Sequence, residues 1–331
     1  MMAKLSPHNH LSGSVLPAYM GLSPYQTAFD VLQTARDFNA GINPAPLDSL
    51  PADIGSAVEP VLIDRGLRAL GIDPNQAFHH TNGDGALAAK EHESLQLFYS
   101  DDGLLYIHPN KSIRLQTNES AGIFVLTPDG TANVSGMVVL EAKFTTVPEK
   151  PNDPPLFRGP VQLQAGMMCH RAKWGLLFTC YAGRKLTVHV FPKHDETRQL
   201  ISSAVIDFET RMEDGSWPEP TNAQDYALKF NEANDATLEM PLSAANDIDT
   251  WLAADEQNNE CDAAKINAAH RLMATLGNHT KGRLGNYEVK WPFRKTKPKP
   301  AVCCPKCSTE LEPAKPASEA RQKSISIKEL K

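Results

Sequence analysis

Long hydrophobic runs are absent from this chain of 331 residues. No uninterrupted apolar stretch approaches the roughly 18 residues that a transmembrane helix needs, so the sequence predicts none. The first residues, MMAKLSPHNHLSG, also lack the apolar segment of a secretory signal peptide. We therefore expect a cytoplasmic protein.

An excess of positive charge is also missing. Lys and Arg number 33 against 39 Asp and Glu, which gives a formal net charge of −6. This balance excludes a globally basic nucleic-acid binder, so any nucleic-acid site must concentrate its cations locally in a groove. The hydrophobic content of 41% supports a true core, and the length permits one large domain or two smaller ones.

Cysteines are few and lack the spacing of a disulfide framework. The six cysteines favour a reducing, intracellular setting. Cys303, Cys304 and Cys307 contain a single C-x-x-C half-site, whereas a structural zinc ion usually takes four ligands from two such halves. Two alternatives stay open for these cysteines: a metal shared between subunits, or no metal at all.

Hydrophobic periodicity predicts a mixed α/β core flanked by helices. Helical patterns occupy residues 12–38 (two short helices), 54–70, 86–99 and 160–170. Strand patterns occupy residues 104–107, 113–117, 121–127, 137–144, 175–181 and 186–191.

The remainder of the chain predicts a different organisation. Helical patterns occupy residues 196–217 and 242–276, while residues 294–331 are rich in Lys and Pro and have almost no apolar periodicity. The sequence therefore predicts a core over residues 1–195, a helical C-terminal extension over 196–293, and a disordered basic tail over 294–331.

Two short motifs carry the chemistry. Asp129 lies in the turn Thr127-Pro128-Asp129-Gly130, and Glu141 and Lys143 follow the apolar run 137–140. Side chains two residues apart on a strand share a face, so Glu141 and Lys143 point the same way. A hairpin between the motifs would bring Asp129 beside Glu141, and two carboxylates next to a lysine suit Mg²⁺ and phosphodiester hydrolysis.

Each motif has an ordinary explanation when it stands alone. An acidic-x-Lys triplet is commonly a solvated strand face, and Asp-Gly is commonly a turn. Together, behind a continuous apolar run, they predict a metal-dependent nuclease site.

Four patterns in this order extend the argument. They are Ser12-Gly-Ser-Val with Met20-Gly-Leu-Ser-Pro-Tyr25, Gly55-Ser-Ala-Val-Glu59-Pro60, Thr127-Pro-Asp129-Gly130 with Glu141-Ala-Lys143, and Gln162-Leu-Gln164. Over residues 10–295 the chain resembles the YqaJ-type viral recombinase family of lambda-exonuclease-like PD-(D/E)xK nucleases. The resemblance implies a restriction-endonuclease-like core with a mixed central sheet.

The resemblance also implies roles for individual residues. Asp129 and Glu141 would bind metal, with the carbonyl of Ala142 as a further ligand and Glu59 reaching the site from a helix. Lys143 would position the attacking water and offset developing negative charge. In the family's glutamine motif, Gln162 and Gln164 both remain candidates.

Recognition of a DNA 5′ end is implied for two hydroxyls, those of Ser14 and Thr127. The family places an arginine ahead of the serine, whereas here no arginine precedes Arg36. Lys4, His8 and His10 are the basic residues nearby, and lysine lacks the bidentate fork of arginine. We therefore expect a weaker dependence on a 5′-phosphate than the family has.

The function implied by the resemblance is a Mg²⁺-dependent DNA exonuclease, with Mn²⁺ as a substitute. It would resect linear double-stranded DNA from 5′ to 3′ in the cytoplasm of a virus-infected or prophage-carrying host, exposing single strands for an annealing protein, and would form a homotrimer. One alternative is an endonuclease or repair nuclease on the same fold. Another is a non-catalytic DNA-binding or assembly module with a decayed site.

Overall fold

The computed structural model describes residues 6–44, 50–230, 232, 234–256, 262–296, 302–303, 310–312, 318–322 and 324–329. The chain divides into two compact units, Met1–Ser216 and Trp217–Lys331. Each unit has its own hydrophobic cluster. None of the described helices combines the length and the apolar character needed to cross a lipid bilayer.

The first unit holds five helices and ten strands among its described residues. Its helices are α1 (Leu16–Tyr19), α2 (Ala28–Asn39), α3 (Leu50–Ala69), α4 (Pro160–Cys169) and α5 (Asp195–Asp214). Its strands are β1 (Leu11–Ser12), β2 (Lys90–Glu91), β3 (Leu97–Tyr99), β4 (Gly103–Ile107), β5 (Ile113–Gln116), β6 (Ile123–Val125), β7 (Thr131–Val134), β8 (Gly136–Thr145), β9 (Trp174–Tyr181) and β10 (Lys185–Pro192).

A five-stranded sheet forms the centre of this unit, in the order β4-β8-β9-β10-β6. Strand β8 pairs antiparallel with β4 and parallel with β9. Strands β9 and β10 form an antiparallel hairpin, and β10 pairs parallel with β6. The parallel step from β8 to β9 carries α4, since parallel neighbours need a crossover connection. The predicted mixed α/β core is confirmed.

Helices cover both faces of the sheet, as neighbouring residues of β9 show. A Cβ atom added to Gly66 of α3 would lie 2.1 Å from the ring of Phe178. A Cβ added to Gly159, just before α4, would lie 2.6 Å from Leu177. Because successive strand residues point to opposite faces, α3 and the start of α4 lie on opposite sides. Both helices approach the sheet closely where glycine removes a side chain.

The prediction of a helix over residues 86–99 is wrong. This segment contains β2 and β3 instead, and β3 pairs antiparallel with β2 and parallel with β1. Leu97 and Tyr99 are both 0% exposed while Phe98 between them is only partly buried. The strand gains its partner from residues 11–12, a long-range pairing that a local pattern does not reveal.

The second unit combines helices with a second sheet. Its helices are α6 (Ala223–Lys229), α7 (Ala245–Glu256) and α8 (Asp262–Leu276). Its strands are β11 (Asn234–Glu239), β12 (His279–Leu284), β13 (Tyr287–Lys290), β14 (Phe293–Thr296), β15 (Val302–Cys303), β16 (Glu310–Glu312), β17 (Ser318–Arg321) and β18 (Ser326–Glu329). Four of these strands form a sheet in the order β11-β12-β13-β18, and Trp291 is 0% exposed in the core.

The predicted boundary at residue 195 differs from the division seen in the structure. Helix α5 lies within the first unit, where Phe208 is 0% exposed and packs edge-on against Tyr19 at 5.2 Å between ring centroids. The second unit is also not purely helical. Its sheet was missed because its strands are short, and because β11 with β12 and β13 with β18 pair over long sequence distances.

The prediction of a disordered tail over residues 294–331 is wrong for the described residues of the tail that form β17 and β18. Strand β17 pairs with β14, and β18 pairs with β13. Arg321 of β17 is 5% exposed. These strands gain order from tertiary partners although their own sequence has little apolar periodicity. The side chains of Cys303, Cys304 and Cys307 lie outside the described residues.

Candidate functional site

Glu141 and Lys143 form a buried ion pair on β8. Their spacing of two residues puts both side chains on one face of the strand, and Nζ of Lys143 contacts Oε1 of Glu141. The side chain of Glu141 is 0% exposed and that of Lys143 is 26% exposed. The hydroxyl of Tyr99 donates a hydrogen bond to Oε2 of Glu141 at 2.5 Å. The strand pattern therefore produces a charged cluster in the place that the sequence indicates.

Asp102 belongs to this cluster, and the sequence analysis missed it. Strand β4 begins at Gly103, which pairs with Leu140 of β8, so the antiparallel register places Asp102 opposite Glu141. Oδ2 of Asp102 accepts a hydrogen bond from the backbone N–H of Ala142 at 2.8 Å. The available signal was the acidic pair of residues 101 and 102 directly before the apolar residues of β4.

The backbone of Ala142 presents a second group on this edge. Within a strand, the N–H and C=O of one residue point to the same neighbouring side. Since the N–H of Ala142 reaches Asp102, its carbonyl faces the edge from which Asp102 approaches. This geometry makes the Ala142 carbonyl available beside the two carboxylates.

Glu59 joins the cluster electrostatically from α3. Burial first, and then the charge of Asp102, raises its pKa. The same two causes raise the pKa of Glu141 to about 8, against the opposing effects of Lys143 and Tyr99. Burial is also the main cause that raises the pKa of Asp102. Three carboxylates thus compete for one lysine.

Lys143 responds in the opposite sense. Burial acts to lower the pKa of its ammonium group, but Glu141, Asp102 and Glu59 outweigh that effect and raise it. Lys143 therefore stays a cation inside the cluster. Its single positive charge does not balance three carboxylates, so the cluster attracts further positive charge when all three are ionised.

A cleft of about 1010 Å³ opens beside the cluster. It is lined by Glu59 and Asp102 together with Ser14, Tyr99 and Gln162. Helix α3, the loop after β1, the end of β3 and helix α4 thus deliver polar groups to one cavity. The structure brings Glu59, Ser14 and Gln162, which the sequence analysis named, to the same place.

Asp129 lies elsewhere. It follows β6, which is separated from β8 in the sheet by β9 and β10, three strand spacings or about 14 Å. Its carboxylate accepts hydrogen bonds from the N–H and hydroxyl of Thr131 at 3.1 and 2.7 Å, and these bonds lower its pKa. The expected hairpin does not form because β7 pairs with β5. The structure therefore assigns Asp129 to a turn.

Thr127 lies in the same turn as Asp129. Its hydroxyl is 2.8 Å from the carbonyl of Thr131 and 3.0 Å from Oδ1 of Asp129. The described residues that line the cleft do not include Thr127. A turn-stabilising role accounts for all of these contacts.

The two glutamines separate clearly. Gln164 is 4% exposed, donates to the carbonyl of Pro192 at 2.9 Å and accepts from the N–H of His194 at 3.1 Å. It therefore fastens α4 to the junction of β10 and α5. Gln162 lines the cleft instead, so it is the glutamine placed to act there.

The N-terminal segment supplies hydroxyls to the cleft. Oγ of Ser14 lies 3.2 Å from Oγ of Ser12, and both residues line the cavity. Nδ1 of His10 lies 3.0 Å from Glu209 of α5, whereas Lys4 lies outside the described residues. His79 also lines the cleft.

The cluster has the chemistry of a divalent-cation site. Asp102, Glu141 and Glu59 offer hard oxygen ligands of the kind that Mg²⁺ prefers, and burial is the main cause that raises the pKa of each. No three His, Cys, Asp or Glu side chains in the described part of the chain are already arranged to hold a metal ion. Binding would therefore require these carboxylates to adjust around the ion.

Comparisons with known proteins give likenesses of fold. No protein-family model matches the chain, and no curated protein matches it significantly. The alkaline exonuclease LHK-Exo from Laribacter hongkongensis is similar at 12% sequence identity and a TM-score of 0.40, over 62% of this chain and 89% of LHK-Exo. Its complex with dAMP gives 0.41 over the same shares. SSO0001 gives 0.35 at 12% identity, over 68% and 84%. Scores this low do not decide what the cleft binds.

Proposed function

We propose that this chain is a Mg²⁺-dependent DNA exonuclease with a PD-(D/E)xK core. The observation that carries the proposal is the cluster of Asp102, Glu141 and Lys143 at the β4–β8 edge. Of its members Asp102 lines the cleft, together with Glu59 of α3, while Glu141 and Lys143 lie behind this lining. An acidic-x-Lys strand facing further carboxylates is suited to holding a divalent cation and a water at a phosphodiester.

The residues of the cluster have distinct tasks in this proposal. Asp102 and Glu141, with the carbonyl of Ala142, would hold the cation, and Glu59 would approach from α3. When bound, Mg²⁺ supplies Lewis-acid stabilisation of negative charge on the phosphate. Mn²⁺, which accepts the same oxygen ligands, would substitute.

Lys143 acts directly on the reacting groups. Its ammonium is held beside the carboxylates by the ion pair with Glu141, and its side chain is 26% exposed. From that position it orients the attacking water and offsets the charge that develops on the phosphate. Gln162, which lines the same cleft, orients the water or the phosphate by hydrogen bonds.

Recognition of a strand end is assigned to the hydroxyl-rich end of the cleft. Ser14 is retained there and Thr127 is withdrawn, because its contacts lie in a separate turn. No arginine occurs in the cleft lining of the described residues. We therefore propose only a modest preference for a 5′-phosphate. The proposed direction of digestion, from 5′ to 3′, rests on the family resemblance.

The wider role rests on the family resemblance. Resection of linear duplex would expose single strands for an annealing protein during viral or prophage recombination. A homotrimer encircling the duplex would keep the enzyme on one strand. Analytical ultracentrifugation tests the trimer, and a sedimenting monomer in the presence of DNA would contradict it.

The decisive experiment uses linear duplexes labelled at either 5′ or 3′ ends, each with a 5′-phosphate or a 5′-hydroxyl. With Mg²⁺ we expect mononucleotide release from the 5′ end, and with EDTA we expect none. Covalently closed circles are the control. Equal cutting of circles would favour the endonuclease alternative, and no cleavage under any condition would favour a non-catalytic module.

A further inference from the structure

The buried hydroxyl of Tyr99 contacts the central carboxylate of the cluster. Tyr99 lies at the end of β3 and is 0% exposed, and its hydroxyl donates to Oε2 of Glu141 at 2.5 Å. Lys143 contacts the other oxygen, Oε1. Both oxygens of Glu141 therefore have a donor inside the protein, and bulk water does not reach the carboxylate.

Two glycines form the slot that holds the Tyr99 ring. A Cβ atom added to Gly13 would lie 2.7 Å from Cδ2 of the ring, and one added to Gly166 would lie 2.5 Å from Cζ. Real Cβ atoms do not approach ring carbons so closely, so each position requires glycine while the ring stays in place. Gly166 lies inside α4, where glycine disfavours the helix. The packing on both sides fixes where the hydroxyl points.

We propose that Tyr99 is a positioning residue that holds Glu141 in the orientation needed to bind a divalent cation. The inference rests on the proposed function, in which Glu141 is a cation ligand. A hydrogen bond from the hydroxyl restricts rotation of the carboxylate and so fixes the direction of its oxygens. Donors that orient a metal ligand in this way typically affect metal affinity by about 10–100-fold.

A second tyrosine provides a matched comparison. The hydroxyl of Tyr19 donates to Oδ2 of Asp207 at the same distance, 2.5 Å, and Tyr19 is 7% exposed. This bond joins α1 to α5, and the described residues lining the cleft include neither partner. Removing either hydroxyl deletes one tyrosine–carboxylate bond, which is buried for Tyr99 and part-buried for Tyr19, and only Tyr99 contacts the proposed cation ligand.

The test measures Mn²⁺ binding directly by isothermal titration calorimetry on the full chain without DNA. Tyr99→Phe is expected to weaken Mn²⁺ binding about 10–100-fold, while Tyr19→Phe binds as the wild type does. In cleavage assays, Tyr99→Phe should raise the Mg²⁺ concentration needed for half-maximal rate and leave KM for duplex unchanged. Raising Mg²⁺ should restore most of the lost rate.

A second variant keeps the hydroxyl but disturbs its position. Gly166→Ala places a Cβ against the Tyr99 ring and should weaken Mn²⁺ binding in the same direction. Gly282→Ala is the control, because its Cβ would lie 2.6 Å from Sδ of Met240 in the other unit. This control reproduces the overpacking without touching Tyr99.

The outcomes separate the two proposals. The role of Tyr99 is overturned if Tyr99→Phe binds Mn²⁺ as tightly as the wild type does. It is also overturned if the wild type binds no Mn²⁺. An equal loss in Tyr19→Phe also overturns it, because the effect would then reflect general destabilisation. If Tyr99→Phe binds Mn²⁺ more weakly than the wild type, and the wild type cleaves no DNA, the role of Tyr99 is supported. The proposed nuclease function is then contradicted instead.

Discussion

Each of the two units encloses a basic side chain, and the groups that surround these two side chains differ. In the first unit Lys143 lies among three carboxylates. Burial raises the pKa of all three, and the charge of Asp102 further raises the pKa of Glu59 and Glu141. In the second unit Arg321 is 5% exposed and lies over the rings of Trp291 and Phe293 at 4.4 and 4.7 Å. Lys143 is partly buried, with 26% of its side chain exposed, and the surroundings of the two cations differ in kind.

Neutral acceptors surround Arg321. Its guanidinium nitrogens donate to backbone carbonyls at distances of 2.5 to 3.3 Å, those of Phe230, Glu232, Gly277, Asn278, His279 and Trp291. Burial lowers its pKa to about 10, so the group stays charged at neutral pH. A planar fork with many donors can satisfy several carbonyls at once, which a lysine ammonium cannot do.

The contrast distinguishes a structural charge from the one that we propose to be functional. The hydrogen-bond donors of Arg321 are satisfied by backbone carbonyls, which carry no net charge. The side chain thereby joins β17 to the loops around it. The Lys143 cluster holds more carboxylates than its lysine can neutralise, so it is poised to take up a cation. Excess charge of one sign, rather than burial, marks the site.

The largest expected effect is on catalysis. Asp102→Asn should reduce cleavage of end-labelled duplex on the order of 10³-fold, since it removes a charged group from the reacting centre. In metal-free buffer the same variant should melt at a higher temperature, because like-charge repulsion with Glu141 and Glu59 is relieved. Cleavage at the wild-type rate would show that Asp102 is not part of the site.

Glu141→Gln and Lys143→Ala are expected to abolish cleavage in the same assay. A variant of Arg321 should instead spare the chemistry of the first unit. If the Arg321 variant lost as much activity as the Glu141 and Lys143 variants, the distinction between the two clusters would be removed. Circular dichroism spectra of each variant serve as the folding control.

The next effect is on the stability of the second unit. Arg321→Met keeps the side-chain volume but leaves several buried carbonyls without a donor, which should cost about 3 kcal/mol of unfolding free energy. Urea unfolding followed by tryptophan fluorescence reports it through Trp291. Arg294→Met on the exposed face of β14 is the control. A midpoint for Arg321→Met equal to that of the control would contradict the structural role.

A smaller effect is the loss of unfolding free energy at acid pH. It tests a buried ionisable group that is neutral in the folded state. His189 of β10 is 4% exposed, and burial lowers its pKa to about 4. The folded state therefore favours the neutral form of His189. The contribution of this residue to stability is complete above the pKa of the unfolded chain, near 6.5, and is lost as pH falls towards 4. Between pH 7 and pH 5 the loss should be about 2 kcal/mol.

His189→Phe should remove this contribution to acid destabilisation. The substitution preserves stacking on Phe124, whose ring centroid lies 5.3 Å from that of His189. Urea unfolding at several pH values measures the slope. An unchanged slope in the variant would show that other groups cause the acid sensitivity of the first unit.

The smallest expected effect belongs to Asp129. Its carboxylate is occupied by turn hydrogen bonds to Thr131 and Thr127, so Asp129→Asn should leave cleavage within about twofold of the wild type, as for most surface substitutions. The pair Asp102→Asn and Asp129→Asn compares two aspartates in one assay. A strong loss in Asp129→Asn alone would restore the assignment made from the sequence motif.

Much of the local structure followed from local patterns. Apolar residues before Glu141 predicted β8, and the period of two placed Glu141 and Lys143 on one face, as the ion pair shows. The Thr127–Gly130 segment predicted a turn, and its hydrogen bonds form one. Helix α4 also matched its periodicity. In these cases, contacts within a few residues fix the conformation.

Other features depended on distant residues. Helix 86–99 was predicted because a short segment was judged without its strand partner at residues 11–12. The tail was predicted to be disordered because its strands have weak apolar patterns, yet Arg321 gains its acceptors from residues far along the chain. Such partners carry no signature in the segment itself.

The sequence by itself determined that an acidic residue and a lysine share one face of a buried strand, since the alternation of side chains is a local property of extended backbone. Only the tertiary structure decided which carboxylate stands opposite Glu141. The register of β4 on β8 delivers Asp102 there, whereas the pairing of β7 with β5 keeps Asp129 away. Register is set by burying one face of each strand against the rest of the core, and that choice depends on the whole chain.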